Sequence, residues 1–108
     1  MRIRNDEKKE EVQGIKWDAL SLDLKICYWV YDFNKKKEKV WFGKLIKPLK
    51  GEAGLIPMGK AVEKLLDLGI LDGHWEKIGD KWARVLMVTG EAESFVKNIY
   101  RNINKVKQ

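Results

Sequence analysis

The sequence predicts an α+β, mostly helical fold, in which one helix leads directly into a two-stranded antiparallel hairpin and a further helix closes the chain. Three observations predict it. Apolar residues recur at helical spacing after Pro57; two segments rich in aromatic and β-branched residues flank a Gly-Asp pair; and apolar residues repeat at spacings of 4, 3, 4 and 3 from Ala92. At 108 residues the chain is expected to form a single domain.

The helix after Pro57 is predicted from one apolar face. Residues at three-and-four spacing, with Leu68 beside the last turn, are Met58, Ala61, Val62, Leu65 and Leu66. The opposite face carries Gly59, Lys60, Glu63, Lys64 and Asp67. Gly69 then offers a left-handed residue without a Cβ penalty, so the helix is expected to end there.

The hairpin is predicted from segments 71–77 and 81–88, which are joined by Ile78, Gly79, Asp80 and Lys81. A Gly-Asp pair suits a two-residue loop. That loop places Trp75 opposite Arg84, where a cation–π pair is feasible.

This order of elements resembles the winged helix-turn-helix domain of prokaryotic transcriptional regulators such as the MarR, PadR and ArsR-like families. In those families the recognition helix ends in a pattern like L-x-x-L-G-L-I, and a stretch like Y-x-L-T-x-x-G opens the last helix. The first pattern is matched by Leu65, Leu68, Gly69, Ile70 and Leu71. The second is loosely matched by Val85, Met87, Val88, Thr89 and Gly90. The resemblance covers about residues 20–100 and implies a three-helix core, a small antiparallel β-wing, a C-terminal helix and DNA as the partner.

The N-terminal part contains a tail and an ambiguous segment. Residues 1–15 read as a mobile charged tail, and residues 16–108 as the winged helix-turn-helix domain. Segment 20–33 satisfies both strand alternation and helical period, with Ser21 or Asp18 as a helix cap. Its position in the family pattern favours a helix.

The middle of the chain should supply the rest of the helix-turn-helix. Residues 39–42 are expected to form a short first strand of the wing sheet, and 43–50 the supporting helix. The residues of this region expected to face the core are Phe42, Leu45, Ile46 and Leu49. Pro48 must lie in the first turn of that helix or shorten it. The connection KGEAGLI, with two glycines, is expected to be the turn.

The final helix is predicted over residues 91–107. Its apolar stripe is typical of two-helix packing, and its last turns extend beyond what one small domain needs. Ile99, Ile103 and Val106 are therefore candidate contacts of a homodimer. The alternative is a monomer in which this helix caps the core.

The net charge of +6 is concentrated in residues 34–64, where nine lysines oppose three glutamates. This segment is the proposed helix-turn-helix, so its charge favours contact with DNA phosphates over a merely solvated lysine face. The candidate nucleic-acid-binding residues there and on the wing are Lys44, Lys47, Lys60, Lys64, Lys77, Lys81 and Arg84. The wing also carries acidic residues, so an ordinary solvated hairpin remains an equal alternative.

Two function classes stay open. One is a non-catalytic protein that binds double-stranded DNA, with little base discrimination because the exposed helix face lacks bidentate side chains. The other is a winged-helix module that binds protein through an aromatic surface formed by Trp29, Trp41, Trp75 and Trp82. Exposed tryptophans favour the protein partner, and buried ones with exposed lysines favour DNA.

Other functions have little support in the sequence. It has no phosphate loop and no nucleophile-base spacing, and His74 has no triad partner nearby, so no enzyme and no cofactor are expected. Cys27 and His74 cannot form a usual zinc site, so no metal is expected. No apolar run approaches the roughly 20 residues of a membrane span, which predicts a cytoplasmic protein. Abundant Lys and Glu suggest a thermophilic origin.

Overall fold

The computed structural model describes residues 15–107, with side chains up to residue 103. The helices are α1 (Leu22–Lys35), α2 (Phe42–Leu45), α3 (Leu55–Asp67) and α4 (Gly90–Lys107). The strands are β1 (Leu71–Ile78) and β2 (Lys81–Val88), and a single 3-10 turn at Trp17–Ala19 precedes α1. The tail predicted over residues 1–15 lies outside the described residues except for Ile15.

The ambiguous segment 20–33 is helical from Leu22 onward, in agreement with the family pattern, and the helix continues to Lys35. Ser21 caps α1, because its Oγ accepts a hydrogen bond from the Leu24 N–H at 3.3 Å. Ile26, Cys27 and Val30 lie in the core. The helical period places these three side chains on one face, which packs against α3 and β2.

The first wing strand expected at 39–42 does not form, and the sheet of the described residues has two strands. Asn34 at the end of α1 occupies the edge of β2 instead: its Nδ2 donates to Leu86 O at 3.3 Å, and its Oδ1 accepts from Val88 N at 2.9 Å. Segment 39–42 still makes one backbone hydrogen bond to β2, in which Leu86 N donates to Val40 O at 2.8 Å. The amide side chain thus satisfies edge groups that a third strand would need.

The supporting helix is shorter than predicted, since α2 ends at Leu45 instead of Lys50. Pro48 has no N–H to continue the hydrogen-bond ladder, and the chain proceeds through turns to Gly51, whose φ is +88°. Leu45 and Leu49 are nonetheless buried as expected, with Phe42 and Ile46 packed around the core.

Glu52 ties the turn between α2 and α3 to α1. Its carboxylate accepts a hydrogen bond from Lys25 Nζ at 2.7 Å and another from Trp17 Nε1 at 2.9 Å. The bond from Lys25, followed by that from Trp17, holds the pKa of Glu52 below its usual value. The ionised carboxylate is therefore the form that stabilises this turn.

We expect Glu52→Gln to lower the thermal unfolding midpoint at neutral pH. A depressed pKa contributes stability above the unfolded-state value of about 4.3, and that contribution is lost as the pH falls through the folded-state value. The difference in unfolding midpoint between wild type and variant should thus be constant above about pH 5.5 and should disappear in more acidic solution. Thermal melts at several pH values test this, with Glu93→Gln on the exposed side of α4 as the control for net charge. A gap that persists at acidic pH would contradict it.

Helix α3 begins at Leu55, two residues before the predicted start at Pro57, which lies in its first turn. The predicted apolar face is buried at Met58, Ala61, Val62 and Leu65. Leu68 differs from the prediction, since 64% of it is exposed. It lies at the C-cap, where the chain has already turned away from the core, and Gly69 with φ +77° completes the turn.

The hairpin has the predicted register. Trp75 pairs with Arg84, and Ile78 pairs with Lys81 across a two-residue loop. Gly79 has φ +64°, which identifies a type II′ loop because the positive φ is at its first residue. The buried residues of the hairpin are Leu71, Val85 and Leu86, in the half next to the core, and the half next to the loop has no buried residue.

Helix α4 begins after Thr89, whose Oγ1 accepts from Ala92 N at 3.3 Å and donates to Gly69 O at 2.8 Å. Ile99 and Ile103 lie in a second apolar cluster with Leu20 and Tyr28. These two isoleucines were predicted dimer contacts, and the structure corrects that assignment: they are buried within the chain because α4 packs against α1. The side chain of Val106 lies outside the described residues.

The fold class is confirmed. Three helices form the core, the antiparallel hairpin projects from it, and α4 covers α1. Within residues 15–107, no helix is both long and apolar enough to cross a membrane.

Candidate nucleic-acid interface

An open groove of about 410 Å³ lies between helix α3 and the hairpin. Gly59, Val62, Glu63 and Leu66 of α3 form one wall. The hairpin wall contains Trp75, Trp82, Ala83, Arg84 and Leu86, and Trp41, Phe42 and Gly43 complete the lining. A Cβ at Gly59 would meet no atom within 4 Å, so this part of the groove is open space.

Four of the seven predicted nucleic-acid-binding residues point to solvent. These are Lys47 after α2, Lys60 on α3, and Lys77 and Lys81 on the hairpin. Among the described residues none of the four forms an ion pair. Their ammonium groups are therefore available to an anionic partner.

The other three predicted residues already bind groups within the chain. Lys44 Nζ donates to Lys39 O at 2.9 Å, and its ammonium lies over the Phe33 and Trp41 rings, at 4.9 and 5.3 Å from their centroids. Lys64 Nζ lies 2.6 Å from Asp23 Oδ2 on α1. The hydrogen bond of Lys44 and the ion pair of Lys64 fix the positions of α2 and α3. They also reduce the positive charge that these two residues present to a partner.

Arg84 is the third, and it spans the groove floor. Its Nη1 lies 3.7 Å from Glu63 Oε2 on α3. Its side chain passes over Gly73, where an added Cβ would approach Arg84 Nε to 2.9 Å, so only glycine admits this path. The feasible cation–π pair with Trp75 does not form, because the guanidinium turns toward α3 instead.

The four tryptophans of the proposed aromatic surface separate into two pairs. Trp29 is half-buried against Tyr28 and Phe33, and Trp41 is half-buried beneath Lys44. Trp75 and Trp82 are 63% and 64% exposed. Of these four tryptophans, only the two on the hairpin are exposed, on the face that borders the groove.

His74 lies on the exposed hairpin and Cys27 is buried in α1. His74 Nε2 contacts the Glu76 carboxylate, which also accepts from Lys39 Nζ at 2.6 Å. Lys39, then His74, holds the pKa of Glu76 below its usual value. Burial, with a smaller contribution from Asp23, raises the pKa of the Cys27 thiol to about 12, so little thiolate forms near neutral pH.

Comparison with known proteins identifies the fold. No family model matches the chain, and no curated protein matches its sequence. Among solved structures, the chain is similar to the circadian clock associated protein Pex from Anabaena, with 20% sequence identity, a TM-score of 0.58, and coverage of 96% of this chain and 93% of that one. A likeness at this identity shows a shared, winged-helix-like fold over nearly the whole chain.

Proposed function

We propose that this protein binds double-stranded DNA without catalysis, as a transcriptional regulator of the MarR, PadR and ArsR-like kind. The observation that carries the proposal is the placement of unpaired lysines on both α3 and the hairpin, the two elements that contact DNA in winged-helix proteins. Lys60 lies on the outer face of α3, and Lys77 and Lys81 lie near the hairpin loop.

The binding is expected to depend on phosphate contacts. Each lysine that neutralises a phosphate releases a condensed counterion, which stabilises the complex at low salt and less at high salt. The outer face of α3 offers Lys60, Glu63, Lys64 and Asp67, and no Arg, Asn or Gln for bidentate contact with base edges. We therefore expect modest discrimination between DNA sequences.

A second candidate function is protein binding through the aromatic hairpin face. It is favoured by the exposure of Trp75 and Trp82, which are large apolar side chains without cover from the chain itself. It is weakened by Trp29 and Trp41, which are half-buried and so contribute less to a continuous aromatic surface.

A salt series of binding to random and genomic duplex DNA tests the proposal. We expect log affinity to fall linearly with log salt, with a slope between about −2 and −4 if two to four lysines each contact one phosphate. Fluorescence anisotropy of labelled duplexes provides the measurement. A slope near zero, or no binding at low salt, would overturn duplex binding and leave the protein-binding candidate.

A further inference from the structure

We propose that the groove between α3 and the hairpin binds unpaired nucleobases of a single strand, which stack on Trp75 and Trp82. This inference goes beyond duplex binding and does not depend on it, because the residues that would contact the bases are Trp75 and Trp82 of the hairpin. It rests on the register of the hairpin, the exposure of the two rings and the positions of the surrounding lysines.

The register produces an alternation of rings and cations on one hairpin face. Trp75 lies directly opposite Arg84, and Lys77 lies directly opposite Trp82. The two tryptophans are therefore diagonal neighbours, with backbones about 7–8 Å apart. Two rings that stack on opposite faces of one base lie about 6.8 Å apart, which is twice the 3.4 Å rise of a stacked strand. The spacing of the tryptophans therefore suits one base between the rings or one base on each ring.

Both rings have surface available to a ligand, since Trp75 is 63% and Trp82 64% exposed. Within residues 15–103, neither ring takes part in the aromatic contacts or in the cation–π contacts. Both rings border the groove of about 410 Å³, whose opposite wall is open at Gly59. This volume is within the range of about 300–1,000 Å³ for small-ligand sites.

Charge around the groove favours nucleic acid over an uncharged apolar partner. Lys77 and Arg84 lie on the same hairpin face as the two tryptophans, because Lys77 pairs with Trp82 and Arg84 pairs with Trp75. Lys60 follows Gly59 on α3, whereas Lys81 lies on the other hairpin face beside Asp80. The Glu63 carboxylate in the groove faces the Arg84 guanidinium, which offsets its negative charge. Stacked bases with phosphates along surrounding lysines match this pattern, as in proteins that bind single strands.

The strand must be unpaired, because a duplex presents base edges in its grooves and keeps base faces stacked on each other. Tryptophan rings on an exposed hairpin can contact base faces only where the neighbouring base is absent. A bubble, an overhang or a single strand meets that condition.

The test compares a labelled oligothymidylate with an abasic strand of the same length and the same number of phosphates. We expect wild-type protein to bind the oligothymidylate at least about tenfold more tightly, because its bases stack on the two rings and an abasic sugar cannot. The double variant Trp75→Ala, Trp82→Ala should lose this preference, and Trp75→Phe, Trp82→Phe should keep part of it. Phe95→Ala, at an exposed aromatic residue of α4, is the matched control and should behave as wild type.

A second pair of variants tests the groove itself. Gly59→Leu should fill it and weaken oligothymidylate binding, whereas Gly59→Ala adds only a Cβ into open space and should bind normally. Circular dichroism melts confirm that each variant is folded. Equal affinity for the two strands, or full preference in the double alanine variant, would overturn the proposal. So would an apolar peptide or a second copy of the chain that occupies Trp75 and Trp82 while the oligothymidylate does not bind.

Duplex affinity of the same variants separates this proposal from the proposed function. Loss of single-strand preference with unchanged duplex binding supports both. Single-strand preference in a protein that does not bind duplex DNA supports the groove and overturns only the duplex-binding function.

Discussion

Replacing Lys60 and Lys81 together by Gln is expected to weaken duplex binding about a hundredfold at 0.1 M salt. Each phosphate contact raises log affinity by close to one unit when the salt concentration falls tenfold. Between 1 M and 0.1 M salt, two lost contacts therefore remove about two log units of affinity. The salt slope should become shallower by about two. These lysines are exposed, one on α3 and one at the hairpin loop.

Lys64 is left intact in this variant because its ion pair with Asp23 joins α3 to α1, and its loss would mix stability with binding. The matched control is Lys97→Gln with Arg101→Gln, which removes the same charge from exposed positions of α4. That control should change affinity by less than about threefold, by analogy with contacts beyond a Debye length. Equal losses in both double variants would show that only net charge matters and would remove α3 and the hairpin from the interface.

The elements that the sequence predicts best are those with local signals. The helix after Pro57, the turn at Gly69 and the two-residue loop at Gly79 each follow from spacing or turn chemistry within a few residues. The expected first strand does not form, because the side chain of Asn34 occupies the edge of β2 where that strand would pair. Asn34 is more than 50 residues away from β2 in sequence. No periodicity within 39–42 reveals that competitor.

The candidate interface is harder to predict for the same reason. Charge counts cannot show that Lys64 pairs with Asp23, or that Arg84 reaches Glu63 across the groove. The exposure of Trp75 depends on how much of the hairpin packs against the core. In β1, Leu71 next to the core is buried, whereas Trp75 in the outer half of the strand is exposed. Strand alternation predicts which face of the hairpin each side chain lies on, but it does not predict how many residues along the strand pack against the core.

The substitution Ile103→Asp is expected to unfold the domain in the absence of any stabilising partner. Ile103 is 1% exposed and packs in the cluster with Leu20, Tyr28 and Ile99. Truncation of such a side chain alone costs about 2–5 kcal/mol, and a carboxylate there adds the cost of a buried unpaired charge. Small domains have only about 5–15 kcal/mol of stability, so most of it should be lost.

Urea denaturation followed by circular dichroism measures this effect, with Ile103→Ala as an intermediate step at about 2–5 kcal/mol. Phe95→Asp, a change on the same helix at a 55% exposed residue, should alter the free energy of unfolding by less than about 0.5 kcal/mol. The contrast between the two Asp variants tests whether Ile103 supports the core of its own chain. A folded, monomeric Ile103→Asp variant of a dimeric wild type would instead place Ile103 in a contact between two copies, because an interface residue becomes exposed in the monomer and its charge then reaches water.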